Sequence, residues 1–147
     1  MARDLIEKAL ASRVWGRAAA ATTAVRVVTG VFFISVSIGK FTEHAQEVAD
    51  FDRYGVPIPE LAVYLVGAVE LLGGIALVLG LATRVAALLL AADMIGAIAT
   101  AGRVDGGTFH LGVAPTLLVA MLFLLWAGPG LLAVDNRLLT RVSSAAT

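Results

Sequence analysis

Four stretches of this chain each run for about twenty residues with almost no charge, and short polar connectors separate them. They are Ala24–Thr42, Leu61–Ala82, Arg84–Gly102 and Phe109–Ala127. A single apolar run of that length can be a buried helix of a soluble protein. Four in succession are explained by a bilayer, where backbone groups must bond within their own segment and side chains must be apolar. The expected fold is therefore all-α: a four-transmembrane-helix bundle in a single domain, residues 1–147, with a short helix in the loop between helices 1 and 2.

Composition agrees where it bears on this. Charged residues make up 15% of the 147 residues, against about a quarter in an ordinary soluble domain. The formal net charge is zero, and no basic stripe with interleaved aromatics exists to neutralise phosphates, so no nucleic-acid partner is expected. The chain has no cysteine. That removes disulfides, thiolate-held zinc and thiolate-held iron–sulfur clusters. The two histidines are His44 and His110. A haem between them is not expected, because one lies in a loop and neither lies deep. No metal-binding helix motif, phosphate loop or nucleophile elbow is present, so no catalytic residues are assigned and the chain is not expected to catalyse a reaction alone.

Orientation follows from Lys and Arg near the helix ends. Arg3, Lys8, Arg13, Arg17 and Arg26 precede or open the first span, Arg84 fills the connection between spans two and three, and Arg137 and Arg141 follow the fourth. Residues 43–60 instead carry Glu43, Glu47, Asp50, Asp52 and Glu60 against Arg53, and residues 103–108 hold one Arg and one Asp. The alternation predicts an N-in/C-in bundle, with residues 1–23 and 128–147 cytoplasmic. Trp15 and Trp126 then mark the inner interface, and Tyr54, Tyr64, Phe41 and Phe109 the outer one. The N-terminal segment lacks the features of a cleavable signal and reads as a short helix, with Leu5, Ile6, Leu10 and Val14 able to touch the membrane surface. In the outer loop, Gly55 should end the short helix, Val48 and Phe51 should pack back on the bundle, and Val56–Pro59 should be extended, because proline disfavours helix in the residue before it.

The most informative residues are acids inside the spans. Glu70 and Asp93 each lie about nine residues into their segments, roughly 13–14 Å deep at 1.5 Å per residue and so near the bilayer midplane. Burying an ionised acid there costs about 2.5–3.5 kcal/mol on insertion scales, so both should face the bundle interior. Their helix faces carry small residues: Gly67, Gly73 and Gly74 beside Glu70, and Gly96, Ala97 and Thr100 beside Asp93. Ser35 lies at similar depth and can donate a hydrogen bond. Glu70, Asp93 and Ser35 form the candidate intramembrane polar pocket. No Lys or Arg is expected at that depth. Lys40 and His110, with the loop acids, form a candidate site at the outer mouth. Arg26 and Arg84 read as anchors to lipid headgroups at the inner interface. Pro115 frees the carbonyl of Leu111 and should disturb the fourth helix. The acids admit two readings: a proton relay or polar pocket for a quinone-like or small polar ligand, or protonated carboxyls that bond across helices and fix their packing.

Several motifs stand in a fixed order. They are R-x3-G-x-F-F-x5-G-K-F from Arg26 to Phe41, F-x2-Y-G-V-P-I-P from Phe51 to Pro59, E-L-L-G-G-I-A-L-V-L-G-L-A-T-R from Glu70 to Arg84, and G-P-G-L-L-A-V-D from Gly128 to Asp135. In these residues the chain resembles the DoxX family of small bacterial membrane proteins, over nearly all of residues 26–139. Asp93 and His110 lie outside that pattern. The resemblance implies a four-helix bundle in the bacterial plasma membrane. It also implies an accessory subunit of a membrane redox or respiratory complex, with a quinone as candidate ligand, no cofactor held by Cys or His, and oxidoreductase subunits as partners. Two other classes remain open: a non-catalytic scaffold or assembly protein, and a small proton-coupled transporter using Glu70 and Asp93. Four helices are few for a transporter unless it forms a homo-oligomer.

Overall fold

The computed structural model describes residues 2–144 of the chain. Among them lie helices α1 (Ala2–Leu10), α2 (Gly16–Thr42), α3 (His44–Arg53), α4 (Pro59–Leu79), α5 (Thr83–Ala99), α6 (Ala101–Val104), a π-helical turn (Phe109–Val113), α7 (Ala114–Ala127) and α8 (Val134–Ser144). Four helical stretches are long and apolar enough to cross a bilayer: Gly16–Thr42, Pro59–Leu79, Thr83–Val104 and Phe109–Ala127. The chain is thus an integral membrane protein with four spanning helices. The first is 27 residues long and begins eight residues before the apolar run at Ala24, because Arg17 and the Ala18–Thr23 stretch continue the helix outward.

The spans alternate in direction. The terminal end of the bundle collects α1, the α4–α5 turn and α8, and the loop end collects α3 and the connection after α6. α2 packs along α4, and α5 packs along α7. The α2–α4 contact is close because glycines meet. A Cβ built on Gly74 would stand 2.7 Å from the carbonyl oxygen of Gly30, and one on Gly30 would stand 2.8 Å from that of Gly74. Apolar packing fills the terminal half and the middle, where Phe33, Leu77, Ala87, Leu90, Met121 and Leu124 are fully buried. Leu65, Leu72, Leu88, Val119 and Leu122 point outward, as lipid-facing residues should. Trp15 and Trp126 are exposed at the terminal end, and Phe41, Tyr64 and Phe109 at the loop end.

The terminal end is tied by buried charge. Arg26, only 1% exposed, donates to the carbonyls of Leu77, Val78 and Leu131. Arg84 donates to the carbonyls of Leu125, Trp126 and Ala11. Both were expected to anchor lipid headgroups. Instead each guanidinium closes the carboxyl end of a neighbouring helix, whose last carbonyls carry the negative end of the helix dipole. Asp135, fully buried, accepts the backbone N–H groups of Ala82 (2.7 Å) and Thr83 (2.9 Å) and so caps the start of α5. Thr23 accepts the N–H of Leu131 and stitches the G-P-G-L-L turn to α2.

At the loop end, α3 ends at Gly55 with φ +74°, and Val48 and Phe51 turn partly inward. Ile58 is not extended as expected. It is left-handed, at φ 51° and ψ 62°. Pro59 excludes the right-handed helical region at residue 58, and the chain reverses there into α4. Pro115 disturbs the fourth span as a π-helical turn immediately upstream. A wider turn absorbs the register gap left where proline has no N–H for Leu111. Of the N-terminal surface-touching residues, the side chain of Leu5 lies outside the described positions.

Candidate functional site

The loop half of the bundle encloses a cavity of about 510 Å³. Lys40, Glu70 and Asp93 lie along it, together with His110, Phe109 and Tyr54. The two sites read separately from the sequence, the intramembrane acids and the outer mouth, are therefore one continuous space.

Lys40 is the residue whose position the sequence misplaced. It was expected near the outer surface, with no cation at the depth of the acids. Its Nζ instead lies 2.8 Å from Oε2 of Glu70, with the lysine side chain 12% and the glutamate 5% exposed. The contact is an ion pair by distance, and its angles fall outside hydrogen-bonding range. Helix direction explains the meeting. Side chains tilt toward the N-terminus of their own helix. α2 starts at the terminal end, so Lys40 leans inward. α4 starts at the loop end, so Glu70 leans outward to meet it. Gly67 makes room. A Cβ there would stand 3.1 Å from Cβ of Lys40 and 3.0 Å from Cζ of Phe41, which places Lys40 one turn above Glu70 on the same face.

Asp93 reaches toward this pair from α5 and lines the same cavity. Its Oδ2 is buried without a hydrogen-bond partner. Gly96, Ala97 and Thr100 line the same wall. Ser35 is not part of the site. It is exposed on the outer face of α2 and donates back to the carbonyl of Val31. It points away from the cavity, and the buried serine on that helix is Ser37. Arg26 and Arg84 lie at the far end of the bundle, as described above. His110 sits on the π-helical turn, its ring 6.2 Å from that of Tyr54 and 5.2 Å from that of Phe109. His44 stands outside the lining, stacked on Tyr64 at 4.1 Å.

α3 and Tyr54 roof the cavity through Glu47, Asp50, Phe51 and Tyr54. A polar cluster that sequence reasoning did not single out closes the edge of this roof. Arg53 straddles Asp105, with Nη1 2.7 Å from Oδ1 and Nη2 2.8 Å from Oδ2. The Tyr54 hydroxyl donates to the same Oδ2 at 2.7 Å, and Asp50 pairs with Arg53 at 3.0 Å. The Tyr54 hydrogen bond and the Arg53 charge hold the Asp105 carboxyl below its ordinary value. Burial and the carboxylate beside it push the Tyr54 hydroxyl up to about 12. The sequence signal was present but weak: a lone Arg among five acids in one loop, and a lone Asp in the other.

The comparisons agree with the architecture. The DoxX family pattern matches residues 21–103. An uncharacterized membrane protein of Mycobacterium tuberculosis is 35% identical, over 82% of this chain and 82% of its own. A Bacillus subtilis protein, provisionally named oxidoreductase CatD, is 37% identical over 54% of this chain and 58% of its own. No solved structure matches the chain significantly. With the family pattern spanning α2 through α5 and the Lys40–Glu70 pair inside it, the chain belongs to the DoxX family of integral membrane proteins.

Proposed function

We propose that this protein is an accessory subunit of a membrane redox complex and that its cavity receives the head group of a quinone. The observation that carries the reading is the unpartnered, buried Oδ2 of Asp93 beside the Lys40–Glu70 pair in a cavity of about 510 Å³. That volume falls in the range of small-molecule sites, which pair apolar walls with a few convergent polar groups. The residues fit such a head group. The Lys40 ammonium can donate to one ring oxygen, the Glu70–Asp93 carboxyls can exchange a proton with the other, and Phe51 and Phe109 offer faces for the ring. A quinone would supply two-electron redox chemistry, and the electrons would pass to or from a partner subunit. Likeness to a protein provisionally named an oxidoreductase supports a redox setting. In this reading the arginine-rich terminal end faces the cytoplasm, the cavity opens to the outside, and the membrane is the bacterial plasma membrane.

The test is purification from native membranes in mild detergent, with mass spectrometry of bound lipids and proteins, for the wild type and Glu70→Gln. The reading expects a quinone and an oxidoreductase subunit at near-stoichiometric levels, with the quinone lost from a variant that retains its helical content. Recovery with ordinary phospholipid alone refutes it. One observation favours a scaffold instead: the Lys40–Glu70 pair is itself a brace between α2 and α4. A scaffold predicts that Glu70→Gln lowers stability and leaves the bound lipids unchanged.

A further inference from the structure

The cavity has a roof attached on one side and latched on the other. α3 continues directly from α2 and packs on α4. Among the described residues, the polar bonds joining it and Tyr54 to the second half of the bundle converge on Asp105: two from Arg53 and one from the Tyr54 hydroxyl. Behind them lie Tyr54, Phe51 and His110, which line the cavity. The latch is open to water, with the Arg53 side chain 53% and the Asp105 side chain 30% exposed. Both halves are followed by residues in the left-handed region, Gly55 after Tyr54 and Gly106–Gly107 after Asp105. Glycine holds that conformation without strain and changes it readily.

From this arrangement we infer that the α3–Tyr54 segment is a gate, latched by Asp105 to Arg53 and Tyr54, that controls access of water and water-borne solutes to the Lys40–Glu70–Asp93 cluster. Releasing Asp105 frees the roof edge at Tyr54 while α3 stays attached through α2. The cluster is then wetted from the loop end. An exposed ion-pair network is weak enough to open often and strong enough to bias the closed state. The gate does not depend on the identity of the ligand, and its test needs none.

The absence of native cysteine makes the test direct. A single reporter, Ala97→Cys on the cavity wall, is labelled with a small charged water-soluble thiol reagent in reconstituted vesicles. Arg53→Gln, Asp105→Asn and Tyr54→Phe are each expected to raise the labelling rate about two- to fivefold, the range an exposed network supports, with Tyr54→Phe at the low end. The swap Arg53→Asp with Asp105→Arg should restore a slow rate. Glu60→Cys, exposed outside the roof, should label equally in every background. Ala87→Cys, fully buried in the terminal half, should stay unlabelled. Unchanged rates at Ala97→Cys in all three variants overturn the gate. So does an equal rise at Ala87→Cys in all three, which would mean general loosening of the bundle. A failed quinone assay with these rates as expected would leave the gate standing.

Discussion

Lys40→Met should be the most damaging single change in the cavity, and the reason is geometric. Lys40 and Glu70 are 12% and 5% exposed at 2.8 Å, so the pair is almost wholly removed from water. Deleting one member of such a pair strands the other and typically costs about 3–5 kcal/mol. Lys40→Met should reach that range, because Asp93, also an acid, lies next to the stranded Glu70. Glu70→Met should cost less, about 1–2 kcal/mol, because Lys40 can turn to the unpartnered Oδ2 of Asp93. The double change replaces the pair with apolar side chains of similar length but leaves the buried Asp93 without a cation nearby, so it should cost about 2–4 kcal/mol, below the sum of about 4–7. The assay is a double-mutant cycle on unfolding in mixed detergent micelles, followed by helical content. A coupling of about 2–3 kcal/mol is expected. If the single effects add within about 0.5 kcal/mol, the two residues act independently and the ion-pair account fails.

Other consequences are as direct. Gly74→Ala should destabilise by about 1–3 kcal/mol, because its Cβ would press on the Gly30 carbonyl at 2.7 Å. Gly96→Ala meets nothing within 4 Å and should be neutral or gain up to about 1 kcal/mol of helix propensity, so thermal unfolding of the two variants should move in opposite directions. Asp135→Ala removes the acceptor for two N–H groups of α5 and should cost about 1–2 kcal/mol, read by the same unfolding measurement. The gate should follow pH through Asp105, which faces Arg53, Tyr54 and His110, with Asp50 behind Arg53. The latched carboxyl titrates below its ordinary 3.8, so its contribution is present above that value and is lost as pH falls through the lower one. Tyr54 is raised to about 12 from 10.0, so its contribution is whole below pH 10 and is lost as pH climbs toward 12. Labelling of Ala97→Cys, corrected for reagent reactivity, should be slow between these limits and faster beyond each.

The spans were legible because a bilayer enforces one pattern, and Glu70 and Asp93 stood out because it so rarely admits their type. Direction was harder to read. Ser35 and Ser37 are two residues apart at nearly the same depth, and only packing tells which one is buried. Lys40 was placed at the outer mouth because it stands near the end of its apolar run. Its inward lean depends on the direction of α2 and on room at Gly67, a residue on another helix. Arg26 and Arg84 obey the charge rule that sets orientation and serve a second purpose inside the protein, as partners for helix-end carbonyls. The Arg53–Asp105 latch joins residues 52 positions apart, and neither loop alone announces it.

The ends of this bundle are built to different standards. At one, Arg26, Arg84 and Asp135 bind four helix termini and the last turn into a clamp. At the other, an exposed ion pair holds a roof. A bundle clamped at one end behaves as a cantilever, with excursions that grow toward the free end. Such a molecule can breathe toward one compartment repeatedly without exposing a continuous path through the bilayer. It can sample solute on one face of the membrane while the ion gradient across that membrane stays intact, whereas an exchanger would have to release the clamped end in turn.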